Sequence, residues 1–176
     1  MPYQSFNLKR LLFTALLTAF VFYTLPAEAK GGKCSRRKPC YAVPITIALH
    51  QSETITISAK DFYSYMSVKV KKGEVYSFLV MGQYKYKDFM VRTTADGWNN
   101  GMLETFGKNG KRMKNAACFS LCGAIGKNED NHFRIGSRLQ NHTMKVDGNL
   151  HFFANDHKNF YWNNKGCLMV KITREL

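Results

Sequence analysis

Residues 155–166 hold the densest group of side chains in this chain that could bind a metal ion. The segment contains one carboxylate and four asparagine amides, set among aromatic rings: Asp156, Asn155, Asn159, Asn163 and Asn164. Carboxylate, amide and backbone carbonyl oxygens are the ligands that a hard cation such as calcium takes. A polar hairpin loop, whose asparagines satisfy turn geometry through their own hydrogen bonds, has the same composition. The spacing of an EF-hand loop, which would favour the calcium site over the polar turn, is not present.

The segments on either side of this loop, 150–154 and 167–172, alternate between apolar and polar residues as β-strands do. Further strands are expected at 44–49, 54–58, 65–70, 74–81, 89–92, 119–125, 132–135 and 143–146. Turn residues separate them at 71–73, 96–97 and 147–148. Short strands at near-regular spacing predict an all-β fold, an antiparallel jelly-roll β-sandwich.

The stretch 96–117 is rich in Gly, Asn and Lys and poor in strand signal. Long irregular loops in compact domains often carry function. Trp98 within it is interpreted in two ways, as an aromatic platform for a sugar ring or as a plug at the end of the sandwich.

The N-terminus has the pattern of a signal peptide, residues 1–29. Lys9 and Arg10 precede an uncharged apolar run at 11–25, and an Ala-x-Ala cleavage pattern follows at 27–29. The run is shorter than the roughly 20 residues that a spanning helix needs. We therefore expect an exported protein, secreted or periplasmic, with a basic N-terminal segment at 30–42 and one β-sandwich domain at 43–176.

The formal net charge is +14, and its densest clusters are 33–38 and 108–114. Such a charge favours contact with polyanions or anionic membrane surfaces. Solvated surface is the expected state of most of these side chains. Neither cluster is interleaved with aromatic residues as a single-strand platform would be, so no specific nucleic-acid binding is expected.

All five cysteines follow the predicted signal peptide, and an exported protein makes disulfides plausible. Cys34 and Cys40 bracket a short basic loop and are expected to pair. Cys118 and Cys122 are too far apart in an extended strand, so they would need a turn or pairing with Cys167. The odd count leaves at least one thiol unpaired within the monomer.

The closing loop resembles that of the PA-IL-like bacterial galactose-binding lectins. The resemblance rests on Asn155-Asp156, the position of Phe160, then Asn163-Asn164 and Gly166 before an alternating final strand. Upstream, Gly73-Glu74-Val75, Gly82, Tyr86, Trp98, Cys118 and Ile125-Gly126 also fall at intervals similar to those of the family. The family has a small jelly-roll sandwich in which one calcium ion bridges protein and sugar.

The resemblance implies a role for each matching position. The side chains of Asp156, Asn163 and Asn164 would bind calcium, and Tyr86 and Phe160 would contribute backbone carbonyls. Two vicinal sugar hydroxyls would complete the coordination, with hydrogen bonds from Asp156 and Asn163. With one carboxylate in this set, we expect weak calcium binding, with a dissociation constant on the order of 10⁻⁴–10⁻³ M.

The sequence departs from the family where the sugar's 6-hydroxyl would be contacted. The family uses a His and a Gln on the long loop, whereas residues 99–117 contain neither. Asn109 or Lys108 would have to substitute, and the basic loop 108–112 could shift preference from galactose-type ligands towards acidic glycans. His157 is expected to lie at the rim rather than to bind calcium.

These observations predict an exported, calcium-dependent carbohydrate-binding protein. The alternative is a basic exported module that binds anionic polymers or membrane surfaces electrostatically, without calcium. A homo-oligomer or subunit of a larger assembly is a further possibility. Neither a G-x-S-x-G nor an H-E-x-x-H motif is present, and no enzymatic activity is expected. A free cysteine with a histidine is the one catalytic arrangement that stays open.

Overall fold

A computed structural model describes residues 43–82, 86–88, 90–98 and 110–176. The predicted signal peptide, the basic segment at 30–42 and the Cys34–Cys40 bridge lie outside these ranges. Within the described ranges, no helix has the length and apolar character needed to cross a membrane.

The described residues form eleven strands and two 3-10 turns. The strands are β1 (Ser52–Ser58), β2 (Val68–Val70), β3 (Val75–Met81), β4 (Tyr86–Asp88), β5 (Val91–Thr93), β6 (Leu121–Ile125), β7 (His132–Arg134), β8 (Arg138–Thr143), β9 (Gly148–Ala154), β10 (Asn164–Lys165) and β11 (Cys167–Arg174). The 3-10 turns are Glu129–Asn131 and Tyr161–Asn163.

The strands pair into two four-stranded sheets and one small three-stranded sheet. Their orders are β1-β11-β3-β8, β2-β9-β6-β7 and β10-β4-β5. All strand pairs within the sheets are antiparallel. The predicted antiparallel β-sandwich is confirmed.

The core lies between the two four-stranded sheets. Alternate residues of each strand face inward, as Ile55 and Ile57 do in β1, and both are buried. Phe78 on one sheet meets Phe152 on the other with ring centroids 6.1 Å apart. One continuous cluster of buried apolar residues therefore joins the two sheets, which is what a sandwich requires.

Three expected strands differ from the structure. Segment 44–49 forms no strand; only Ile45 makes an isolated bridge, to Val68, while Ile47 packs into the core from an irregular backbone. The expected strand at 89–92 overlaps the turn of the β4–β5 hairpin. The strand expected at 143–146 is β8, which ends at Thr143. Its residues are mostly polar because β8 is an edge strand, so the apolar pattern did not mark it.

Hydrogen bonds to Asp96 and close packing at Gly97 fix the conformation of the turn that leads to Trp98. The Asp96 carboxylate accepts hydrogen bonds from the backbone N–H of Ser137 (2.9 Å) and from Arg134 (3.3 Å). Gly97 has a φ of +80°, and a Cβ there would meet the backbone carbonyl of Cys118 and lie 2.7 Å from the Ser120 nitrogen. Only glycine fits, both for its conformation and for the close approach.

We expect Gly97→Ala to lower the free energy of unfolding by about 3 kcal/mol or more, because backbone atoms must move in addition to the strain of positive φ. Gly73→Ala is the matched control. Its φ is +88°, but a Cβ there meets nothing within 4 Å, so it should cost only about 1–2 kcal/mol. Urea titration measures both values. Equal losses in the two variants would contradict the close packing at Gly97.

Candidate functional site

The closing loop between β9 and β11 folds back onto the β4–β5 hairpin. The 3-10 turn at Tyr161–Asn163 runs into β10, which pairs with β4 so that Asn164 lies opposite Asp88. Opposite residues of an antiparallel pair share a face of the sheet. The pairing therefore brings Asp88, which no sequence pattern marked, next to the predicted calcium ligands of the loop.

Two asparagine amides donate hydrogen bonds to two carboxylates. The Asn164 Nδ2 donates to Asp156 Oδ2 (2.9 Å) and to the Ala59 carbonyl (3.1 Å). The Asn163 Nδ2 donates to Asp88 Oδ1 (2.9 Å). Ionised carboxylates and carbonyls only accept hydrogen bonds, so these partners determine which end of each amide is the nitrogen.

The oxygens of the same two amides have no hydrogen-bond partner among the described residues, although both are buried: Asn163 Oδ1 and Asn164 Oδ1. A buried acceptor without a partner costs about 1–3 kcal/mol, and most buried polar atoms avoid it. Asp156 uses its Oδ1 to accept from the His157 backbone N–H (2.6 Å) and keeps free lone pairs on both oxygens. The loop therefore carries two buried amide oxygens without a described partner and one carboxylate with lone pairs to spare.

The two carboxylates have shifted pKa values. Burial is the main cause of the raised pKa of Asp156. Burial, followed by repulsion from Asp156, raises the pKa of Asp88. A nearby cation would favour the charged form of both groups. Across the described ranges, no group of three or more His, Cys, Asp or Glu side chains could hold a metal ion, so any cation here must rely on amide and carbonyl oxygens as well.

Tyr86 and Phe160, which are expected to contribute backbone carbonyls, differ in the burial of their side chains. The Tyr86 side chain is fully buried, edge-on to Phe119 with ring centroids 5.8 Å apart, and its hydroxyl has no hydrogen-bond partner among the described residues. Burial also raises the pKa of Tyr86 well above its usual value. The Phe160 carbonyl accepts from the Asn163 N–H (3.2 Å) and has a second lone pair available. The Phe160 ring itself is half exposed.

Trp98 packs as part of the sandwich. Its ring lies parallel to that of Phe119, 5.6 Å away, and contacts the core cluster. This placement favours the plug interpretation, and a sugar contact by Trp98 stays a prediction. Asn109 lies outside the described residues. His157 lies against Gly110 and Phe160, and its expected position at the rim of the site stays a prediction.

Arg112 is an exception to the expectation that the basic clusters are solvated surface. It is only 6% exposed. Its guanidinium lies 3.7–4.2 Å from the centroids of three aromatic rings: Phe62, Tyr63 and Phe153. It donates to the Phe62 carbonyl and to the Tyr161 hydroxyl. Tyr161 starts the 3-10 turn that carries Asn163. Arg112 thus holds the site's turn in place by cation–π and hydrogen-bond contacts.

Asn155 connects the long loop to the end of β9. Its side chain is fully buried and accepts from the Met113 N–H (2.8 Å). Its Nδ2 donates to three carbonyls: those of Met113, Ala116 and Ala117, at 3.0–3.2 Å. With its amide fully used in these bonds, Asn155 positions Asp156 and is not available to a ligand.

Two of the described cysteines, Cys122 and Cys167, are poor candidates for a nucleophile. Burial raises the pKa of the Cys122 thiol to about 12, so it is protonated at neutral pH. Cys167 is disulfide-bonded. Neither side chain joins the candidate site.

No protein-family model and no curated protein matches the sequence. Among solved structures, the fold is similar to that of the "EclA N-terminal domain; PllA-like lectin". The sequences are 19% identical, the TM-score is 0.50, and the match covers 69% of this chain and 95% of that chain. At this identity, the match shows a shared lectin-type β-sandwich fold.

Replacing Asp88 with Asn should stabilise the cation-free protein at pH 7. The raised folded-state pKa means that ionised Asp88 is less favourable in the folded chain than in the unfolded one. This penalty is present above the folded pKa and disappears as the pH falls below the unfolded value of about 3.9. The Asn side chain still offers an oxygen to Asn163. Thermal melts in chelator should therefore show a higher Tm at pH 7 and no difference at pH 3.

Asp130→Asn is the control for this experiment, because Asp130 is exposed on the other 3-10 turn. It should change Tm little at either pH. A lower Tm for Asp88→Asn at pH 7 would show that Asp88 is not under electrostatic strain.

Proposed function

We propose that this protein binds carbohydrate through a calcium ion held by the closing loop. The observation that carries the proposal is that the amide oxygens of Asn163 and Asn164 are buried without a described partner, in a loop where Asn164 also donates to the Asp156 carboxylate. Calcium takes six to eight oxygens at about 2.3–2.6 Å and exchanges its waters for vicinal hydroxyls. The oxygens present are of the type that this ion binds, and backbone carbonyls and hydroxyls would complete the number.

The other ligands of the proposed site are backbone carbonyls and sugar hydroxyls. Tyr86 and Phe160 would supply the carbonyls, and a diol would supply the hydroxyls. Asp88 orients Asn163 and adds a second negative charge beside the ion. Because a second carboxylate increases the attraction for a dication, we expect a dissociation constant below about 10⁻⁴ M, tighter than the one-carboxylate set implies.

The fold agrees with this proposal, because the similar solved structure is that of a PllA-like lectin. A galactose-type ligand is the first choice and an acidic glycan the second. We expect the protein to act by binding rather than by catalysis. The Cys122 thiol in particular is a poor nucleophile, because burial raises its pKa to about 12. The N-terminal pattern supports export, to the exterior or the periplasm.

A glycan array probed with calcium and with chelator, each at two salt concentrations, tests this function. Binding that needs calcium and tolerates salt supports the lectin. Binding that persists in chelator but is lost at high salt would instead indicate electrostatic attraction to the glycan, because salt screens exposed charges.

Asp156→Asn should weaken calcium binding at least about 100-fold in calorimetric titration, since the carboxylate contributes charge and direct coordination. Asp130→Asn removes an exposed carboxylate away from the loop and should bind as the wild type does. Phe160→Ala should also have little effect if only its carbonyl binds. Wild-type calcium affinity in folded Asp156→Asn would remove Asp156 from the site.

Trp162 is expected to report sugar binding. Its side chain is 72% exposed and immediately precedes Asn163 in the 3-10 turn. A sugar bound to the ion through its hydroxyls would have its apolar C–H face near the Trp162 ring, and aromatic rings pack well against apolar surfaces. The chain has two tryptophans, so Trp98→Phe leaves Trp162 as the sole emitter.

In Trp98→Phe, galactose with calcium should shift the emission to shorter wavelength and reduce quenching by iodide. The same titration in Trp98→Phe/Asp156→Asn is the control and should show no change. Calorimetric sugar binding in Trp98→Phe without any change in emission would place the sugar away from Trp162.

A further inference from the structure

Three basic side chains form a row across the three-stranded sheet. Lys165 of β10 lies opposite Lys87 of β4, and Lys87 lies opposite Arg92 of β5. Directly opposite residues share a face of the sheet, with Cα atoms about 4.5–5.5 Å apart. The three residues, here named the basic row, therefore lie along one line, with the outer two Cα atoms about 11 Å apart.

The basic row lies on the face of this sheet opposite the candidate cation site. Side chains alternate between faces along a strand, so Lys87 and Asp88 point to opposite sides. The same holds for Asn164 and Lys165. Lys165 and Arg92 are exposed, and Lys87 is half-buried. A ligand of the basic row would thus not compete with one at the cation site.

No carboxylate neutralises the basic row in the part of the chain that the structure describes. The ion pairs there include Arg134–Asp96, Lys158–Glu129 and Arg174–Glu74, none of which involves the basic row. Like charges directly opposite each other destabilise a strand pair. The arrangement is therefore unfavourable in the isolated protein, and an anionic ligand with several charges would relieve it.

We propose that the basic row binds an anionic polysaccharide, with its sulfate or uronate groups lying along the row. Arg92 would hold such a group through two parallel hydrogen bonds, while the lysines act as point charges. The choice of a polysaccharide over other polyanions rests on the proposed function. With a diol bound on the opposite face of the sheet, one chain would hold glycans at two independent sites.

Fluorescence anisotropy with labelled heparin, in chelator and near-physiological salt, tests the proposal on the full chain. The row variant Lys87→Gln/Arg92→Gln/Lys165→Gln should bind heparin at least about tenfold more weakly. It should also show a shallower salt dependence, because fewer counterions are displaced. Its Tm should be equal to or above that of the wild type, since the like-charge repulsion is gone.

The matched control is Lys69→Gln/Lys127→Gln/Lys145→Gln, which removes the same charge from exposed positions on other strands and loops. It should weaken heparin binding by less than about threefold. Equal losses in both triple variants would overturn the proposal in favour of diffuse attraction to the net charge.

Two further measurements test the independence of the basic row and its preference among polyanions. Asp156→Asn should keep full heparin affinity, because the basic row and the calcium site are independent. Loss of heparin binding in Asp156→Asn would overturn the independence of the two sites. The row variant is also tested on phosphatidylserine vesicles and on a single-stranded oligonucleotide. A greater loss on either of these than on heparin would overturn the polysaccharide assignment.

Discussion

The candidate site depends on the orientation of two side-chain amides. Asn163 and Asn164 each direct their nitrogen to a carboxylate, at 2.9 Å in both cases. The nitrogen of Asn164 is held a second time, by the Ala59 carbonyl. Because the nitrogens are used in this way, the oxygens must face elsewhere, and both are buried without a partner among the described residues. This arrangement leaves two amide oxygens available, which are donors of the type that the proposed calcium ion takes.

The rest of the local structure maintains that orientation. The two-residue pairing of β10 with β4 brings Asp88 to the loop. Arg112, enclosed by aromatic rings, holds Tyr161 and with it the turn that carries Asn163. Asn155 attaches the loop around Met113 to the strand that precedes Asp156. Preorganisation of this kind reduces the conformational entropy that the site loses when a ligand binds.

The same arrangement is unfavourable without a ligand. Two carboxylates with raised pKa values lie near each other, and two buried acceptors lack donors. Folded proteins tolerate such conflicts mainly at functional sites. The conflict at Asp88 and Asn163 is therefore an argument for function that the sequence resemblance alone did not provide.

The sequence predicted the sandwich and the closing loop, because strand alternation and the clustering of Asp156, Asn163 and Asn164 are local signals. Asp88 could not be predicted in this way. It belongs to a three-residue strand that pairs with a two-residue strand, and it accepts a hydrogen bond from Asn163, 75 positions later. Strands so short have no periodicity to read. Arg112 was missed for a related reason, since only the fold shows that aromatic rings surround it. Such long-range pairings decide the site, and they are absent from any local pattern.

The central claim is that the amide oxygens of Asn163 and Asn164 bind calcium together with Asp156. A crystal structure of the protein grown with calcium, with anomalous scattering used to identify the ion, measures this directly. We predict one calcium within about 2.3–2.6 Å of both Oδ1 atoms and of the Asp156 carboxylate. Amide oxygens hydrogen-bonded to water, with the ion bound elsewhere or not at all, would contradict it.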